Sequence, residues 1–123
     1  METNDLTGKI IGLAMEIHSI IGPGLLESVY KECLFYKAKK AGLRIEKEKP
    51  VPFIFESVQL DCGFRLDLIV ENKVVIEIKS VDAIHPIHIA QILTYLKLGN
   101  YRVGLLLNFN VLHMREGIRR IIL

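Results

Sequence analysis

Between Gly63 and Ser80 the chain carries two apolar, alternating runs, 63–71 and 74–80, separated by little more than Asn72-Lys73. Strands joined so closely fold back as an antiparallel hairpin. Asp67 and Glu77 each lie five positions from Asn72, so an odd-length loop centred there sets the two carboxylates directly across from one another, about 5 Å apart. Side chains alternate along a strand, and this register puts Leu66, Leu68, Val70, Val74, Ile76 and Ile78 on a core face. Arg65, Asp67, Ile69, Val75, Glu77 and Lys79 share the other. A two-residue turn at Asn72-Lys73 would instead move Asp67 to the face opposite Glu77.

The remaining segments fit around this hairpin. Leu6, Ile10, Leu13, Ala14, Ile17 and Ile20 recur at helical spacing, with Asp5 or Thr7 available as a cap. Gly22-Pro23-Gly24 breaks that helix, and Leu26, Val29, Tyr30, Cys33, Leu34 and Ala38 set up a second, which Gly42 can close. A strand-like run covers about 51 to 57, helical spacing returns over Ile87 to Leu98, Gly99-Asn100 stops it, and Tyr101 to Asn108 is a further apolar strand before a short tail ending at Leu123. The predicted order is ααβββαβ, an α/β (α+β) chain.

With 123 residues, half of them apolar and 24% charged, the chain is expected to form a single domain over 1–123. Mean hydropathy of +0.32 points to a well-filled core and to a subunit interface, so a homodimer is expected, with the apolar strand at 102–107 or the first helix as its contact. Lys9, Glu16 and His18 interrupt the first apolar stretch behind an acidic amino terminus, which argues against a signal peptide. No segment reaches the roughly 18 apolar residues of a membrane span. Cys33 and Cys62, 29 positions apart and without a CxxC, read as buried thiols in a reducing cytoplasm. The net charge of +2 neither demands nor excludes a polyanion.

The polar face of the hairpin has two readings. Its charges are either a solvated, cross-paired surface or a divalent cation site, since paired carboxylates repel unless a cation joins them, and Mg²⁺ takes one or two carboxylates plus waters and phosphate oxygens. Lys79, two residues beyond Glu77, points the same way and could orient or deprotonate a water or balance charge on a reacting phosphate. Gln91 and Tyr95 are four apart on one helical face near the hairpin's end. On local grounds Glu27 reads as a carboxylate favoured by a helix N-terminus, Tyr30 as core, and His85 and His88 as surface polarity. Residues 31–50 hold seven basic and three acidic side chains, either a positive patch or a solvated helix face.

Taken together, Gly24-Leu-Leu-Glu27-Ser-Val-Tyr30, Asp67, Glu77-Ile-Lys79 and Gln91-Ile-Leu-Thr-Tyr95 resemble the GxxExxY protein family, a branch of the PD-(D/E)xK nuclease superfamily. The likeness runs from the first helix through Gly104-Leu-Leu-Leu-Asn108-Phe109 to Gly117-Ile-Arg-Arg. It implies a restriction-endonuclease-like core, a central mixed sheet flanked by helices. Asp67, Glu77 and Glu27 would be the metal-binding acids and Lys79 the superfamily's lysine. Gln91 and Tyr95 would match the QxxxY motif of exonuclease-like domains related to recombination helicases, the glutamine arranging the site and Tyr95 on the substrate side, with Tyr30 also assigned there. Leu66 stands where the superfamily's name has proline.

The function expected is hydrolysis of phosphodiester bonds in DNA or RNA, with Mg²⁺ as cofactor and Mn²⁺ as a substitute. The alternative is a catalytically silent module that binds nucleic acid or protein through the same fold. A phosphate-cradling loop is absent, because Gly22-Pro23-Gly24 is not preceded by a strand or followed by GK[ST].

Overall fold

Three antiparallel connections and one crossover account for the whole sheet. The computed structural model describes residues 1–123, in the order α1 (Thr3–Ile21), α2 (Glu27–Lys40), β1 (Ile45–Phe55), β2 (Val58–Val70), β3 (Val74–Lys79), α3 (Pro86–Gly99), β4 (Val103–Asn108), a 3₁₀ turn (Met114–Gly117) and β5 (Ile118–Ile122). The five strands lie side by side in sequence order. All neighbours are antiparallel except β3 and β4, which α3 joins as a crossover. This is a mixed sheet flanked by helices, the restriction-endonuclease-like arrangement. No helix is long and apolar enough to cross a membrane.

Helices α1 and α2 cover one face, where Leu6, Ile10, Tyr30 and Leu34 pack on Leu68, Ile76, Leu105 and Leu107. Helix α3 covers the other through Ile92 and Leu96 against Ile69, Val75 and Leu106. Each strand near the centre is therefore buried on both sides, and β4 is buried along its full length. Gly42, with φ +83°, takes the left-handed position just past α2 that its sequence suggested.

Several expectations change. The strand foreseen at 51–57 begins at Ile45, because Ile45 to Pro50 is a charged edge segment whose pairing with β2 comes from register and not from its own hydropathy. The tail is a strand, β5, paired along Val103–Leu107. The apolar strand proposed as a subunit contact lies between β3 and β5, so it has no free edge, and the α1 stripe from Leu6 to Ile17 belongs to the core, leaving Ile20 exposed. Cys62 is exposed on β2 and Cys33 is half-buried. Leu66 departs from the core face assigned to it and joins Ile69 and Val75 under α3, for a reason that lies in the hairpin itself.

Candidate active site

The β2–β3 loop is three residues long, Glu71 to Lys73, with φ of +53° at both Glu71 and Asn72, and the strands pair as Val70↔Val74, Ile69↔Val75 and Leu68↔Ile76. That is the odd loop centred on Asn72, and the two-residue turn does not occur. Beyond Leu68 and Ile76 the ladder stops. The Asp67 N–H donates to the Glu77 carboxylate at 3.0 Å, and the Ile78 N–H donates to the Asp67 carboxylate at 2.9 Å. Two carboxylates thus replace the backbone acceptors that diverging strands withdraw. The alternation of β2 is interrupted at this fork, which is why Leu66 and Leu68 face opposite layers.

Glu77 is only 5% exposed. Burial, and after it the charge of Asp67, pushes its carboxyl up to about 8. Asp67 is raised as well, chiefly by burial, against the Ile78 N–H and the charges of Lys31 and Lys79 that pull it down. A buried Glu77 and a half-buried Asp67, both raised above the ordinary carboxylate range, form a donor pair suited to a hard divalent cation, which would neutralise both. No three His, Cys, Asp or Glu side chains converge into a ready metal cage. Glu27 stands at the start of α2 and accepts the Ser80 N–H at 3.2 Å, while the Ser80 hydroxyl donates to the Leu25 carbonyl at 2.6 Å. Glu27 is therefore a neighbour of the pair, fastening the end of β3 to α2, and its charge raises both acids.

On the α3 side Lys79 points to Gln91, with Nζ 3.5 Å from Oε1. One turn further along, Tyr95 stacks on Phe64, ring centroids 4.5 Å apart, and its hydroxyl is raised by burial and then by the charges of Glu77 and Asp67. Tyr30 lies elsewhere. It is fully buried, stacked on Phe109 at 4.5 Å, with its hydroxyl donating to the Gly22 carbonyl at 2.7 Å and accepting from the Leu25 N–H at 3.1 Å. It fixes the loop that carries Glu27. His85 and His88 cap α3, the His85 N–H donating to His88 Nδ1 at 3.0 Å.

The positive patch looked for along 31–50 is largely neutralised. Lys37 pairs with Glu16 at 2.5 Å, Lys47 with Glu32 at 2.7 Å, Lys49 with Glu46 at 3.3 Å and Arg44 with Glu71 at 3.8 Å. Lys31 pairs with Glu48. Lys31 was counted in that basic run but not assigned to the site: it lies one turn beyond Glu27 on α2, and its charge pulls Asp67 down ahead of that of Lys79. The four-residue spacing from Glu27 was the signal that could have singled it out.

No curated protein and no solved structure matches the chain. A family model described as the PD-(D/E)XK nuclease superfamily matches residues 4–121, nearly the full length over which the fork, its acids and its lysine are disposed. The chain belongs to the PD-(D/E)XK nuclease superfamily.

Proposed function

We propose that this chain is a Mg²⁺-dependent nuclease that hydrolyses phosphodiester bonds of DNA or RNA, and that it falls in the GxxExxY branch of the superfamily. The observation that carries the reading is the strand fork, where Asp67 and Glu77 meet through each other's backbone amides with Lys79 on the same side as Gln91. Asp67 and Glu77 would hold the cation, with Glu27 completing the set. The cation would supply neutralisation of phosphate charge and a water acidic enough to react near neutral pH.

The protein's own groups do the rest. Burial keeps the Asp67–Glu77 pair short of its full negative charge until a cation arrives, so an approaching phosphodiester is not met by a bare dianion. The Lys79 ammonium, steered by the Gln91 carbonyl oxygen, can hold a water in line or stabilise charge growing on the phosphoryl oxygens. The Phe64–Tyr95 stack forms an aromatic wall next to Gln91 on the substrate side.

The test is incubation with single- and double-stranded DNA and with RNA, in Mg²⁺ or Mn²⁺, beside Lys79→Ala and Asp67→Asn. Cleavage by the parent chain with a loss of about 10²-fold or more in either variant is expected, the size typical of a lost proton-transfer or charge-stabilising group. Equal cleavage by all three proteins counts against the assignment. Mn²⁺ uptake in calorimetry should vanish in Asp67→Ala and in Glu77→Ala, and binding of nucleic acid without any cleavage would turn the reading into a silent binding module.

A further inference from the structure

Glu48 sits in the middle of β1 with φ +56°, a left-handed conformation that costs a non-glycine residue energy and needs a cause. The paired residues step over it: Lys47 faces Leu68 and Lys49 faces Leu66, with no pairing at Glu48 and Asp67. The kink therefore lies directly across from the strand fork. It delivers the Glu48 carboxylate to the Lys31 ammonium of α2, while the charges of Arg65 and Lys47 also bear on it. Lys47 has its own partner in Glu32. Arg65 forms no ion pair within the chain and is exposed. The Lys31 ammonium thus holds one carboxylate across the sheet from Asp67, with the Arg65 charge also acting on it, and lysine and arginine are the donors a phosphate takes.

We propose that Lys31 and Arg65 form a subsite for a backbone phosphate of the nucleic acid, and that Glu48 fills it in the free protein as an anionic placeholder displaced when a strand binds. The subsite rests on the nuclease reading, because its ligand is the strand that the fork would cut. It would fix the position of a phosphate next to the one undergoing reaction and so bear on binding more than on turnover. The strained turn at Glu48 has a role on this account, since an extended Glu48 would pair with β2 and carry its carboxylate away from Lys31.

The experiment is direct binding of a fluorescent 20-mer DNA duplex and of its single strand in EDTA, with affinity followed against salt. Each lost phosphate contact lowers the slope of log K against log salt by about 0.9 on duplex and about 0.7 on single strands. Lys31→Met should weaken binding about tenfold at low salt and lower the slope by one contact, Lys31→Arg should restore both, and Glu48→Gln should tighten binding several-fold with no loss of slope. Once nuclease activity is in hand, Lys31→Met should raise KM by a larger factor than it lowers kcat. An unchanged slope in Lys31→Met, or weaker binding by Glu48→Gln, overturns the subsite while leaving the nuclease reading intact. Absence of any binding by the parent chain in EDTA overturns the subsite, while the nuclease reading stands or falls on the cleavage assay in Mg²⁺.

Discussion

The Tyr30 hydroxyl, on a fully buried side chain, has two partners, the Gly22 carbonyl and the Leu25 N–H, so removing it breaks two hydrogen bonds at the edge of the core. Tyr30→Phe should cost about 1–3 kcal/mol in chemical denaturation, with the stack on Phe109 kept. The same variant should loosen the loop ahead of Glu27, visible as faster amide exchange at Leu25. Glu77 gives a second prediction at this scale. Its ordinary value is 4.5 and its folded value about 8, so between these pH values the folded chain keeps a proton that the unfolded chain releases. Stability then falls as pH rises, by up to about 1.4 kcal/mol per pH unit. In EDTA the Tm should drop from pH 5 to pH 8, Glu77→Gln should flatten the profile, and Mg²⁺ should raise Tm most at the alkaline end. A metal-free Tm that climbs over this window would contradict the burial-driven shift.

Among the elements, the end of β4 is held by one side chain. Asn108, 1% exposed, accepts from the Val81 N–H at 3.0 Å, donates to the Val81 carbonyl at 3.0 Å and accepts from the Asn110 N–H at 3.2 Å. It fastens the segment that leaves Lys79 for α3. Gly117 packs on the same residue so closely that a Cβ would come within 1.9 Å of the Asn108 carbonyl oxygen. Gly117→Ala must therefore push β5 off β4, and thermal unfolding should show it as the more damaging change. Asn108→Ala should cost about 2–3 kcal/mol for three lost, part-buried hydrogen bonds and slow any cleavage by freeing Lys79. The hairpin register was readable because an odd loop around Asn72 fixes which residues face each other. The fork was not, since strand alternation carries no mark where a ladder ends, and Leu66 was misassigned with it. Strand β5 was hidden by Arg119-Arg120, which breaks the alternation. The first half of β1 was hidden by charges that belong to a sheet edge. Lys31 looked like any helix-surface lysine, because its partner Glu48 comes from a strand 17 positions on.

At the scale of the molecule, the high hydropathy has two destinations. One is the pair of layers on either side of the sheet. The other is the β1–β2 hairpin beyond Val51, where Ile54 is 58%, Phe55 56% and Val58 55% exposed. Pro50 and Pro52 lie on β1, the edge strand, and deprive that edge of N–H donors, which discourages strand-on-strand association. Replacing Ile54 by Lys or Phe55 by Ser should leave unfolding within about 0.5 kcal/mol of the parent. Light scattering against concentration should show reduced self-association. The strand fork has a further use as a measuring device. The amide protons of Asp67 and Ile78 point straight at the two carboxylates, so their NMR resonances are internal reporters for whatever happens there. A titration with Mg²⁺ should move these two signals before any other in the sheet, and it needs no substrate and no turnover.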